Sequence, residues 1–144
     1  MPERRGCIAI VDDDAGMCKA LERLLRSFGF EARSFDSAEE FLVKANEQND
    51  CLVLDIKLPG MSGPELLHRL ESEGKRLPTV FITALQRNWV SEYPNRIGHS
   101  ICLQKPFSDS LLIGSVNAAL GSASPEEPSQ LRHVRKARRH SESL

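Results

Sequence analysis

Short apolar runs alternate with helical patterns through the first 120 residues, and this alternation limits the fold more than any other feature of the chain. The runs are "CIAIV" (Cys7 to Val11), "FEARSF" (Phe30 to Phe35), "CLVLD" (Cys51 to Asp55), "TVFIT" (Thr79 to Thr83) and "SICLQ" (Ser100 to Gln104). Each is short enough for a strand. Met17, Leu21, Leu24, Leu25 and Phe28 form a helical stripe after the first run, and it stops at Gly29 as a glycine terminator should. Ser37 with Glu40, and Ser62 with Glu65, have capping-box spacing, and the second box opens a helix carrying Leu66, Leu67 and Leu70. Trp89, Val90, Tyr93 and Ile97 also fall at helical spacing, though Pro94 shortens or breaks that helix, and Ser108 opens a last one through Leu111, Leu112, Val116 and Leu120. Apolar strands joined by helices imply a parallel sheet covered on both faces with right-handed crossovers. The expected fold is therefore doubly wound α/β with five strands.

Ligands of such sheets gather outside the carboxyl ends of the strands, near the point where strand order reverses. The residues out of keeping with the apolar runs lie at those ends: Asp12 and Asp13 after the first strand, Asp55 at the third, Thr83 at the fourth and Lys105 past the fifth. Two like charges about 4 Å apart cost roughly 4 kcal/mol at an effective dielectric of 20, and a bound cation removes that cost. Mg²⁺ takes oxygen ligands, keeps waters, and binds one or two carboxylates together with phosphate oxygens. Asp13 and Asp55 could supply those carboxylates, while Asp12 could hold a metal-bound water. An aspartate can also act as a nucleophile and form an acyl phosphate, in a transfer that depends mostly on positioning and charge stabilisation. Lys105 would place a compact positive charge on a phosphate oxygen, Thr83 would donate its hydroxyl, and the small Ala84 would leave room for the phosphate.

Plainer readings stand beside these. Asp14 reads as a helix N-terminal residue favoured by the helix dipole, and Asp12 and Asp13 could be caps as well. Asp55 could start an Asx-turn before "LPG", Thr83 could be an ordinary β-branched strand residue, and Lys105 with Pro106 an ordinary turn. Trp89 and Tyr93 could pack in the core or form a partner patch. The four histidines share no spacing and read as solvated side chains rather than catalytic bases.

With 144 residues, 40% of them hydrophobic, the chain fits one compact domain and a short tail. Residues 6–120 form the expected domain. From Gly121 onward "SASPEEPSQ" has a linker composition, and the basic "LRHVRKARRHSESL" holds too few large apolar side chains for a helix-turn-helix. The last 24 residues contain five Lys or Arg against three Glu, which leaves 14 against 17 and a net charge of −3 in the first 120. The tail could contact nucleic-acid phosphates or steer an acidic partner, but disorder is the reading favoured here. Cys7, Cys18, Cys51 and Cys102 form no CxxC pair, and neither a signal sequence nor a membrane span is present, so a cytoplasmic chain with reduced thiols is expected.

Taken together, "VDDD" (Val11 to Asp14), "VLDIKLPGMSG" (Val53 to Gly63), "FITA" (Phe81 to Ala84) and "QKPF" (Gln104 to Phe107) resemble the response-regulator receiver domain of bacterial two-component signalling. The resemblance covers Gly6 to Leu120 and supplies the strand order 2-1-3-4-5, the flavodoxin-like arrangement shared by chemotaxis regulators. It implies that Asp55 accepts phosphate from the phosphohistidine of a sensor histidine kinase or phosphotransfer protein. It also implies that Asp12 and Asp13 organise Mg²⁺ with Asp55 and the backbone carbonyl of Lys57, that Thr83 is the switch hydroxyl, and that Lys105 contacts the phosphate. The bond before Pro106 is commonly cis in the family. Two positions depart from the pattern: Cys102 stands where an aromatic is usual, and "LQRNWVSEYPNRIGHS" replaces an alanine-rich helix.

The expectation is a stand-alone signalling receiver with no output domain in this chain, acting on a downstream protein target rather than as an enzyme. Two alternatives stay open. A Mg²⁺-dependent phosphatase with an aspartyl-phosphate intermediate needs a general acid near the nucleophile, yet Lys57 stands two positions after Asp55. A receiver-shaped scaffold would bind its partner regardless of phosphate.

Overall fold

A computed structural model describes residues 5–45, 48–84 and 101–122. Five parallel strands, β1 (Cys7–Val11), β2 (Glu31–Phe35), β3 (Cys51–Asp55), β4 (Thr79–Thr83) and β5 (Ile101–Gln104), lie in the order β2-β1-β3-β4-β5. The helices are α1 (Ala15–Ser27), α2 (Ala38–Lys44), α3 (Gly63–Ser72) and α4 (Asp109–Ser122). The chain moves outward from β1 to β2, returns across the sheet to β3, and then runs outward again. The order therefore reverses between β1 and β3.

Side chains alternate across a strand, and here both faces are apolar. Ile8, Ile10, Val53, Val80 and Ile82 join Leu21 and Leu25 of α1 and Leu112 and Val116 of α4 in one core. Val11, Leu52, Leu54 and Phe81 point the other way and pack with Phe41 of α2 and Leu66, Leu67 and Leu70 of α3. The central strands β3 and β4 are buried throughout, which is why their runs are unbroken, whereas edge strand β2 carries the exposed Arg33.

Helix ends follow local chemistry. The Asp14 carboxylate caps α1 by accepting the N–H groups of Gly16 (2.9 Å) and Met17 (3.2 Å). Gly29, at φ +91°, turns the chain after α1. At α3 the capping box is complete: Ser62 Oγ accepts the Glu65 N–H, and the Glu65 carboxylate accepts the Ser62 N–H. At α2 it is half formed. Ser37 Oγ accepts the Glu40 N–H, but the Glu40 carboxylate, tied to Lys44 at 3.1 Å, reaches the Asp36 N–H instead. Ser108 Oγ accepts the Leu111 N–H at the start of α4. The helical pattern around Trp89 and Tyr93, Ser100, and the tail lie outside the described residues.

Replacing Asp14 with Ala leaves two N–H donors of α1 without their acceptor. Urea unfolding is expected to show a loss of about 1 kcal/mol.

Candidate functional site at the switch point

Strand register builds the site. Val11 pairs with Leu54, so Asp12 emerges beside Asp55, and Asp55 itself pairs with Ile82. Thr83 follows one residue further, and because it pairs with Gln104, Lys105 comes next to it. The Lys105 N–H donates to the Thr83 carbonyl at 2.7 Å, and the bond between Lys105 and Pro106 is cis.

Asp12 is 1% exposed and Asp55 7%, while Asp13 faces solvent. Each of the three offers a carboxylate oxygen, and these oxygens lie within 4.8 Å of one another. Lys105 Nζ reaches between two of the acids, 2.9 Å from Asp12 Oδ2 and 3.4 Å from Asp55 Oδ2. Asp12 Oδ1 accepts the Asp14 N–H at 2.9 Å, and Asp55 Oδ1 accepts the Lys57 N–H at 3.4 Å. An adjoining cleft of about 470 Å³ is lined by Asp13, Asp55, Lys57 and Thr83, with Leu58, Pro59 and Ala84 completing its wall. Asp12, Asp13, Asp55, Lys57, Thr83 and Lys105 thus all meet at one edge of the sheet. Asp14, by contrast, is spent on its helix cap.

Burial, and then the charge of Asp12, pushes the Asp55 carboxyl up from 3.8 to about 6, although Lys105 and the Lys57 N–H pull the other way. Burial alone would lower the Lys105 ammonium. Its hydrogen bond to Asp12 and the charges of Asp55 and Asp12 outweigh that, and it is held above its ordinary value. One ammonium against three carboxylates leaves negative charge in excess, and the donors are all oxygens, so the residues fit a hard divalent cation such as Mg²⁺.

Gly63 is a positioning residue to which the sequence analysis assigned no role. A Cβ there would lie 2.2 Å from the Asp55 carbonyl oxygen, and the Gly63 N–H donates to Ile56 O at 2.9 Å. The start of α3 is thereby packed directly onto the backbone of Asp55. The available signal was its place as the second glycine of "LPGMSG". Cys102, at the usual aromatic position, is half-buried, and burial pushes its thiol up to about 12. None of the four cysteines is in a disulfide.

Fold and site together define a flavodoxin-like α/β domain with a cluster of acids at its switch point. The receiver-domain model of response regulators matches residues 8–117, and the chain belongs to that family. Response regulator protein TodT of Pseudomonas putida is 33% identical over an alignment covering 100% of this chain and 63% of its own length. Transcriptional regulatory protein FixJ of Bradyrhizobium diazoefficiens is 32% identical across 88% of this chain and 62% of its length. The chain therefore spans a little under two thirds of these curated relatives. A crystal structure of a response regulator receiver protein from Burkholderia phymatum is 40% identical, with a TM-score of 0.69, over 84% of this chain and 99% of that one. Among the described residues, no helix is long and apolar enough to cross a membrane.

The raised Asp55 carboxyl has a definite sign for stability. Its folded value lies above 3.8, so the folded state holds more protons between about pH 4 and 6, and stability is lost as pH rises through that window. Without divalent metal, Asp55→Asn is expected to be more stable than the parent at pH 7 by on the order of 1–2 kcal/mol. The difference should vanish below about pH 4 in denaturant titrations.

Proposed function

We propose that residues 6–120 act as a phosphorelay receiver that takes a phosphoryl group from the phosphohistidine of a kinase or phosphotransfer protein onto Asp55 and signals by changing a protein-binding surface. The observation that carries this reading is the convergence of Asp12, Asp13 and Asp55 with the Lys105 ammonium, beside a cleft lined by Thr83 and Ala84. Membership of the receiver family supports it. In the transfer, an Asp55 carboxylate oxygen attacks phosphorus, the O–P bond forms as the N–P bond to imidazole breaks, and the imidazole leaves with the electron pair and takes up a proton. Asp55 must be ionised to attack. Its carboxyl near 6 satisfies this at neutral pH.

Asp12, Asp13 and Asp55, with the Lys57 backbone carbonyl, would hold Mg²⁺, which when bound supplies charge neutralisation of the phosphate oxygens. Lys105 already sits 3.4 Å from the acceptor carboxylate and would contact a phosphate oxygen once one is there. Thr83 would donate its hydroxyl from the same wall. These contacts exist only when phosphate is present, so phosphorylation shifts the population toward the arrangement that makes them.

The downstream target is read as a protein, in a cytoplasmic setting. FixJ is named a transcriptional regulator, and a regulatory output of that kind is one destination for this chain's signal. Gly121 and Ser122 close α4, so the reading of 121–144 as linker and basic tail is shortened to residues 123–144. A signalling role, rather than turnover, agrees with Lys57 standing where a phosphatase of this chemistry would need a general acid. Cys102 in place of an aromatic supports one second reading, a phosphate-independent scaffold.

Incubation with acetyl phosphate and Mg²⁺, followed by intact mass and peptide mapping, is expected to show one adduct of about 80 Da, the mass of a phosphoryl group, on Asp55 and none in Asp55→Asn. Sustained hydrolysis of generic phosphate esters would instead support the phosphatase. Equal partner binding by both proteins, with and without the phosphodonor, would support the scaffold.

A further inference from the structure

Glu39 stands at the second position of α2, away from the acid cluster, and its carboxylate does not serve its own helix end. Its Oε2 accepts the backbone N–H of Met61 at 2.8 Å, across 22 residues of sequence. The same carboxylate lies against Gly60, where a Cβ would come within 2.7 Å of Oε2 and 3.3 Å of Oε1, and Gly60 has φ +76°. Two features of Gly60 therefore suit glycine: the left-handed backbone and the close approach of an acid from another element.

Gly60 and Met61 end the loop that leaves β3. Its first part, Lys57 to Pro59, lines the cleft, and the Lys57 N–H is on the Asp55 carboxylate. Leu58 is buried and Met61 half-buried in the core shared with α2 and α3. The cleft-lining stretch is thus suspended between a tie to Asp55 at one end and a tie to Glu39 at the other.

We infer that Glu39 is a positioning residue for phosphoryl transfer: from α2 it holds the far end of the loop that walls the Asp55 cleft. The inference rests on the function proposed above. A plainer reading makes Glu39 only a first-turn acid favoured by the α2 dipole. Glu40 separates the two, because it is also a first-turn acid of α2 but bonds Asp36 and Lys44 rather than the loop.

The test compares Glu39→Ala, Glu39→Gln and Glu40→Ala in the full chain. The readouts are the rate of labelling by acetyl phosphate, Mg²⁺ affinity by calorimetry, and hydrogen exchange at the Met61 amide. Glu39→Ala is expected to label about 3- to 10-fold more slowly and to exchange the Met61 amide about 3- to 10-fold faster, as loss of one solvent-exposed hydrogen bond implies. Glu39→Gln, which keeps an acceptor oxygen, should recover most of both, and Glu40→Ala should leave both unchanged. Labelling at the parental rate by Glu39→Ala, or equal slowing by Glu40→Ala, would overturn the inference. If the parent protein itself takes no phosphate, the proposed function fails. The role in transfer falls with it, and Mg²⁺ affinity and Met61 exchange then decide only whether Glu39 holds the loop beside the acids: weakening and acceleration confined to Glu39→Ala support that hold, and their absence refutes it.

Discussion

The Lys105 ammonium, held between the carboxylates of Asp12 and Asp55, is the interaction on which the site depends. Two nearly buried acids side by side would repel strongly in a medium of reduced dielectric. Lys105 offsets part of that repulsion, while burial first, and then the charge of Asp12, hold the Asp55 carboxyl above its ordinary value. The site is thus stable enough to fold while still carrying unneutralised charge. The sheet makes this possible because its order reverses between β1 and β3, which brings the two acids together, and because β5 places the cation one strand past Thr83.

Much of the architecture was legible because the central strands are buried on both sides. Cys7–Val11, Cys51–Asp55 and Thr79–Thr83 are strands with the limits that their apolar runs suggest. The edge of the sheet was less legible. Phe30 looks like the first residue of its strand and is buried, but its N–H bonds the Leu25 carbonyl at the end of α1, so β2 begins at Glu31. The Ser37–Glu40 spacing indicated a helix start correctly, yet competition from Lys44 and Asp36 for the Glu40 carboxylate could not be seen in the spacing alone.

The candidate site divides in the same way. Strand ends and the doubly wound pattern were enough to expect Asp12, Asp13, Asp55, Thr83 and Lys105 at one edge. Which acid would be solvated and which buried depends on how far each strand projects, and the sequence does not carry that. Glu39 was equally hidden, because its partner is a backbone N–H far along the chain, and backbone donors leave no trace in residue identity. Asp14 shows the converse: a third acid adjoining a cluster of acids serves a helix end.

The contact between Gly63 and the Asp55 carbonyl has a mechanical consequence. With the first turn of α3 seated on that backbone, the acceptor strand rests against a stop on its α3 side. On the β4–β5 side Thr83 and Lys105 are tied instead through their own backbones, N–H to carbonyl.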